Sequence, residues 1–312
     1  MTVATSVDSS PGRRTTVPRR RGGIRDSLVG WTFLAPAIVL IATFTIVPFV
    51  QAVLLSFQSW DGISPDVPFV GLDNYRRILN NKIFWESMKN VVWFAAAGFF
   101  LGNGIALVMA LAVNKTDRAS AFFRTAFYLP GVFSVVVVGL IFQWIYSPSV
   151  GILNSLLGDF GLGSLQQNWL GDPDSALPAV ALTFIWYHWG FAFILFLAGL
   201  QDIPWDLYEA ASLDGAGEWA RFRYITWPHL APVTSIVSIL TLLAALQIFG
   251  TVQVLTNGGP GYHTMVPTLR IFNEAFATNR YGTAAAMSVL FGGVLVTAAM
   301  VQIVITGRRA RR

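Results

Sequence analysis

The chain has 312 residues, 54% of them hydrophobic and only 12% charged, with a formal net charge of +5 and no cysteine. Soluble domains carry about 25% charged residues; half that charge, set outside six long apolar runs, excludes a soluble globular protein, a disordered chain and a disulfide-stapled secreted domain. The missing cysteine also removes thiolate metal sites, iron–sulfur ligation and cysteine nucleophiles.

Stretches free of Asp, Glu, Lys and Arg run over 27–60, 90–114, 125–158, 175–201, 224–269 and 281–307. Each exceeds the ~20 residues that cross a ~30 Å hydrocarbon core at ~1.5 Å per residue. The chain reads as a polytopic membrane protein. Lipid offers no partner to a free backbone group, so the spans are expected to be helical. Continuous apolar runs, rather than alternating segments of ~10 residues, argue against a barrel.

Residues 1–26 hold Ser, Thr, Pro and Arg with few large apolar side chains, and are expected to form a disordered basic cytoplasmic tail. They are not expected to be a signal peptide, because the apolar run that follows is longer than an h-region of about 7–15 residues. The remainder, 27–312, is expected to be one six-helix transmembrane domain, with spans near 30–57, 89–113, 122–146, 177–200, 230–256 and 283–306. Pro36, Pro48 and Pro130–Gly131 fall in or beside these runs and are expected to be tolerated kinks. Gly98, Gly102 and Ala106 give the second span a small-residue face for close packing. Trp60, Trp85, Trp144 and Tyr146 fall where interfacial aromatic belts belong.

Basic residues give the orientation. With the N-terminus inside, the inner segments hold Arg13, Arg14, Arg19, Arg20, Arg21, Arg25, Lys115, Arg118, Arg124, Arg221, Arg223, Arg308, Arg309, Arg311 and Arg312. The outer segments hold Arg76, Arg77, Lys82, Lys89, Arg270 and Arg280. The excess puts both termini in the cytoplasm. Basic residues at the ends of apolar runs orient spans, and no nucleic-acid partner is expected.

Several chemistries are missing. No lysine follows the Gly-rich run of a Walker A loop, so ATP is not bound that way. His188, His229 and His263 are too far apart for ligand spacing, and no metal site is expected. No nucleophile–base pair is suggested by spacing. Asp172 and Asp174 flank Pro173 and read as a turn. The spans carry almost no ionisable group apart from His188, which weighs against proton coupling.

Between the fourth and fifth spans lies a polar inner loop, 201–228. Asp202 is expected to cap a first helix with Pro204 in its first turn. Asp214–Gly215 supplies a left-handed stop, and a second helix over 218–226 is expected to end before Pro228. Leu207 and Ala211, four apart, give the first helix an apolar stripe. By composition alone this could be an amphipathic loop resting on lipid.

Glu209-Ala210-Ala211, Asp214-Gly215, Ile225 and Pro228 stand in the register of the EAA loop, and the loop resembles that of binding-protein-dependent ABC importer permeases. Trp227 stands where leucine is usual. Phe69-Val70-Gly71-Leu72-Asp73-Asn74-Tyr75, following Trp60-Asp61, and Val254-Leu255-Thr256-Asn257-Gly258-Gly259-Pro260 resemble the sugar-type branch, which includes maltose and glycerol-phosphate importers. Gly250 departs from an Asp common after Phe in that branch.

The resemblance implies an all-α type I importer permease fold in a bacterial or archaeal cell membrane. Glu209, Ala210, Ala211, Asp214, Gly215, Ile225 and Pro228 would form the ATPase-coupling elbow. It implies a second homologous permease as heterodimer partner, a dimeric P-loop ATPase that holds ATP and Mg, and an extracytoplasmic solute-binding protein docking near 58–88, 147–176 and 257–282. This chain would then be no enzyme and hold no cofactor. Sugar sites combine aromatic faces with hydrogen-bonding groups, which makes Gln143, Trp144, Trp186, Tyr187, His188, Gln247 and Gln253 the candidates for substrate contact. Interhelical hydrogen bonding and interfacial anchoring are the commoner uses of these residue types. An autonomous carrier or channel for a small polar solute is the alternative reading, and a membrane-embedded enzyme lacks its paired acids or metal ligands.

Overall fold

The computed structural model describes residues 24–114 and 118–309, so residues 1–23 of the predicted tail, Lys115, Arg311 and Arg312 lie outside the described residues. Helical winding starts at Ile24, within the stretch expected to be tail. The chain divides into two units, one ending at Gln51 and the other starting at Ala52.

The first spanning helix, α1, is Trp31–Leu55. Pro48 lies inside it, and the turn ahead, Ala42–Ile46, is wide, with Val47 N–H bonded to Ala42 O. Proline lacks the N–H for the carbonyl four residues back and its ring clashes with it. A wide turn moves that carbonyl aside and lets the helix continue.

The second unit follows with α2 (Asp73–Leu79), α3 (Lys82–Ala112), α4 (Arg118–Val132), α5 (Val135–Ile145), α6 (Ile152–Asp159), α7 (Pro173–Gln201), α8 (Trp205–Leu213), α9 (Glu218–His229), α10 (Ala231–Leu246), α11 (Gly250–Leu255), α12 (Pro267–Phe272) and α13 (Tyr281–Arg309). Helices α1, α3, α7 and α13 are each long and apolar enough to cross a membrane alone. Two bent helix pairs, α4 with α5 and α9 with α10, are long and apolar enough only when taken together.

The predicted span 122–146 is not one kinked helix. α4 and α5 meet at 99°. Leu129–Val132 tightens around Pro130, Phe133 is extended at ψ 153°, and Ser134 starts α5 by accepting a hydrogen bond from Val136 N–H at 3.3 Å. α7 supports the break from below: a Cβ on Gly190 would lie 2.9 Å from Phe127 O.

The predicted span 230–256 is also divided. Its start is a bend, where α9 and α10 meet at 65° around Leu230, which Pro228 and Pro232 flank. A second break at Gln247–Phe249 places Phe249 at φ −142°, ψ −66° before α11 begins. The Ile248 carbonyl freed there accepts a hydrogen bond from Thr268 Oγ1, as a buried carbonyl in lipid requires.

α7 is the centre of the second unit and is apolar on every face, the signature of a helix surrounded by others. Phe184 and Ile185 pack with Val91 and Phe94 of α3, Ala245 of α10 and Val252 of α11. Nearer its other end, Phe193, Phe196 and Leu200 pack with Ala106 and Ala110 of α3 and with Leu230 and Val237. The small face of α3 serves this packing, since a Cβ on Gly98 would meet Thr241 Cγ2 at 3.1 Å and Phe184 at 3.2 Å. Asp172, read as a turn, caps α7 by accepting from Asp174 N–H at 2.9 Å. Tyr146 is no interfacial anchor. It is 5% exposed, and its hydroxyl donates to Ala179 O at 3.1 Å.

Asn74 organises the turn after α1. Its amide donates to Ser56 O at 3.0 Å and Gln58 O at 2.8 Å, and its carbonyl oxygen accepts from Thr283 Oγ1 at 3.2 Å. A buried amide with three partners pins residues 56–58 and α2 to α13.

Candidate functional site

The loop 201–229 is a helical elbow. The first arm, α8, starts two residues later than expected: Pro204 is its cap, Asp206 lies in its first turn, and Asp202 instead ends α7, its N–H bonding Ala198 O and Leu200 O. α7 runs on to Gln201, so the polypeptide has no free turn at Asp202 to cap. Gly215 makes the corner at φ +76°, and Ala216 N–H closes it onto Ala211 O at 2.9 Å. A left-handed residue is cheap only for glycine, and here a Cβ would meet nothing within 4 Å. The corner therefore needs glycine for its backbone, while the space beside it is open.

The second arm, α9, does not stop before Pro228 but continues to His229. The turn Phe222–Thr226 is wide, with Trp227 N–H bonded to Phe222 O. This is the arrangement found ahead of Pro48, and the same clash with the carbonyl four residues back explains it. The 65° bend follows at Leu230, whose side chain is 0% exposed.

The two arms are joined side chain to side chain. Tyr208 OH and Thr226 Oγ1 lie 2.9 Å apart. Tyr208, rather than Leu207, packs with Ile225 against the buried cluster that holds Phe196 and Leu200 of α7 and Leu230. Arg221 Nε donates to Ala216 O at 2.9 Å across the corner. Glu209, Ala210, Asp214 and Pro228 are exposed, and Ala211 and Ile225 half-buried. Leu213 is 90% and Trp219 74% exposed. Among the described residues, none of Asp202, Asp206, Glu209, Asp214 and Glu218 has an ion-pair partner. An acidic knob with bare leucine and tryptophan at its corner is built like a contact surface, whose anchors are large apolar groups.

The candidates for substrate contact divide. Gln143 donates through Nε2 to Val254 O, joining α5 to α11. Beneath that bond Phe142 meets Trp186 with ring centroids 5.2 Å apart. The close approach depends on Gly139, where a Cβ would lie 2.6 Å from Val254 Cγ1. Gln143, Trp186 and the backbone beside Gln253 thus share one junction. His188 bonds Phe184 O through Nδ1 at 2.9 Å and sits edge-on to Tyr187 at 4.8 Å. Trp144 and Gln247 are exposed, and neither has a side-chain hydrogen bond among the described residues. Neither a cavity of about 300 Å³ beside Tyr146 and Trp169 nor one of about 150 Å³ beside Arg77 and Arg270 is lined by any of the seven. No group of His, Cys, Asp and Glu that could hold a metal occurs among the described residues.

Residues 85–312 match the family described as the binding-protein-dependent transport system inner membrane component. The diacetylchitobiose uptake system permease protein NgcF of Streptomyces coelicolor is 35% identical over 307 residues, 94% of this chain and 87% of that protein. The trehalose/maltose transport system permease protein MalF of Thermococcus litoralis is 34% identical over 266 residues, 85% of this chain and 89% of that one. Among solved structures, a chain of a bacterial alginate ABC transporter in complex with an alginate pentasaccharide-bound periplasmic protein superposes with a TM-score of 0.78. It is 23% identical and covers 93% of this chain and 96% of its own, a likeness of fold.

Proposed function

The chain belongs to the binding-protein-dependent transport system inner membrane component family, and from that membership we propose that it is the membrane-spanning permease subunit of an ATP-driven importer for a sugar or sugar derivative. The sugars named for the relatives, diacetylchitobiose and trehalose/maltose, support an oligosaccharide cargo. ATP and Mg belong to a separate dimeric P-loop ATPase, and this subunit itself hydrolyses nothing. A second homologous permease completes the pore. A solute-binding protein delivers the cargo from outside, a reading supported by the periplasmic protein in the related alginate transporter. The excess of arginine in the inner segments supports a bacterial or archaeal cell membrane location with both termini cytoplasmic.

The observation that carries the reading is the elbow: two short arms turning at Gly215, locked by Tyr208 and Thr226, and exposing Glu209, Leu213 and Trp219. Closure of the ATPase dimer pushes on this knob. Because Tyr208 and Ile225 pack on the end of α7 and Leu230 is buried at the bend into α10, the push reaches two spanning helices rather than a free loop. The substrate path is assigned to the junction of α5, α7 and α11, where Gln143, Trp186 and Gln253 gather at broken helices. Polar and irregular backbone at membrane depth is tolerated where it lines a cavity or packs on protein.

Reconstituting the complex with Glu209→Lys tests the reading. Uptake of oligosaccharide is expected to fall at least about tenfold while the chain remains in the membrane, since a reversed charge at a docked contact is strongly unfavourable. Wild-type uptake by this variant, or uptake by the chain without any ATPase, contradicts it.

A further inference from the structure

Arg270 and Glu274, one turn apart, form an ion pair at 2.8 Å with side chains 13% and 2% exposed. The other carboxylate oxygen accepts from Thr278 Oγ1 at 2.8 Å and faces Arg280 Nε at 3.4 Å. A carboxylate buried to this depth needs such company, and it has it. The guanidinium groups are less well matched. Arg77 lines the same cavity of about 150 Å³, with Asn81, Thr283, Arg270, Glu274 and Arg280. It is exposed and has no acidic partner among the described residues. Arg270 keeps a buried Nε without an acceptor. Three guanidinium groups stand against one carboxylate, a formal excess of two positive charges in a partly enclosed space.

From this excess we infer that the cavity receives one carboxylate, carried by an acidic side chain of the extracytoplasmic binding protein. The inference rests on the docking of that protein proposed above and gives it a chemistry. Size favours a side chain, because the cavity holds roughly five waters at ~30 Å³ each and is smaller than the ~300 Å³ at which small-molecule pockets begin. Geometry favours a carboxylate, which a guanidinium fork grips with two parallel bonds. Position favours the binding protein: in the proposed orientation α2, α12 and the start of α13 face outward, and Arg77 and the half-exposed Arg280 stand at the surface. Positive charge focused in a cleft also accelerates the encounter with an acidic partner.

The test uses the complex in lipid nanodiscs with the binding protein that co-purifies with it. Docking affinity is measured for the wild type and for Arg77→Gln with Arg280→Gln, in sodium chloride and in sodium acetate at equal ionic strength. The double variant is expected to dock about tenfold more weakly, and acetate to weaken wild-type docking more than chloride does, a difference the variant loses. Arg77→Gln alone, at an exposed residue, gives a smaller loss and keeps the test open should the double variant fail to fold. Equal docking by wild type and both variants overturns the inference and leaves the importer reading standing. A wild-type complex that docks no binding protein overturns both. Docking unchanged, with uptake of acidic solutes alone lost, would assign the cavity to the solute and overturn the assignment to the binding protein.

Discussion

The phenol of Tyr208 and the hydroxyl of Thr226, 2.9 Å apart, bind the two arms of the elbow. Thr226 is 4% exposed and belongs to the wide turn ahead of Pro228, so the bond ties the arm bearing Glu209 to the arm that feeds the fifth span. Tyr208→Phe and Thr226→Val are each expected to destabilise the chain by about 1 kcal/mol. The double variant should lose little more than the larger single, since both remove one bond. Denaturant titration in detergent measures this, and fully additive losses would show that the two hydroxyls do not depend on each other.

Gly215 gives a second prediction. Its φ of +76° is costly for a side chain, yet nothing stands within 4 Å of where a Cβ would lie. The penalty is then conformational alone, about 1–2 kcal/mol for alanine. Asparagine tolerates this region better and valine worse. Uptake should fall in the order Gly, Asn, Ala, Val; an order following side-chain size, with asparagine below alanine, would mean that space rather than backbone conformation governs the corner.

At the junction of α5 and α11, a Cβ on Gly139 would press to 2.6 Å from Val254 Cγ1. Gly139→Ala is expected to cost about 1–3 kcal/mol through overpacking, and Val254→Ala in the same chain to restore much of it. Thermal stability of the detergent-solubilised protein reads both. Absence of rescue would place the strain elsewhere.

Asn74 joins Ser56 O, Gln58 O and Thr283 by three hydrogen bonds at 3% exposure. Asn74→Asp keeps its size but replaces the amide donor with a carboxylate facing two carbonyls. A loss of about 2–4 kcal/mol is expected, beyond that of Asn74→Ala, because it buries an unpaired charge as well as losing bonds. Denaturant midpoints compare the two, and an aspartate variant as stable as wild type would contradict the assigned amide orientation.

Much of the fold was legible because lipid imposes one rule on every span: a long charge-free run must be helical. That rule locates α1, α3, α7 and α13. It is blind to breaks inside a run, since 125–158 and 224–269 stay apolar across turns of 99° and 65°. Pro130, Pro228 and Pro232 marked the places. Yet Pro48 shows that a proline in lipid can leave a helix continuous once a wide turn precedes it, and sequence alone does not separate these outcomes.

The elbow's corner was readable because Asp214–Gly215 has few conformational alternatives. Its lock was not, as Tyr208 and Thr226 lie eighteen positions apart in the chain and neither is unusual in composition. Asn74 lies within the Phe69–Tyr75 stretch that resembles the sugar-type branch, though nothing local reveals its three partners. The Arg270–Glu274 spacing of four was a readable ion-pair signal, whereas the convergence of Arg77 from α2 required the fold.

The most direct measurement of the central claim is purification of the tagged chain from its native membrane in mild detergent, with mass spectrometry of the proteins retained. A stoichiometric P-loop ATPase and a second membrane chain with its own EAA loop are expected, and replacing Glu209 by lysine should remove or much reduce the ATPase alone. A lone chain or a homodimer with no ATPase, in every detergent tried, would contradict it and favour a carrier that works by itself.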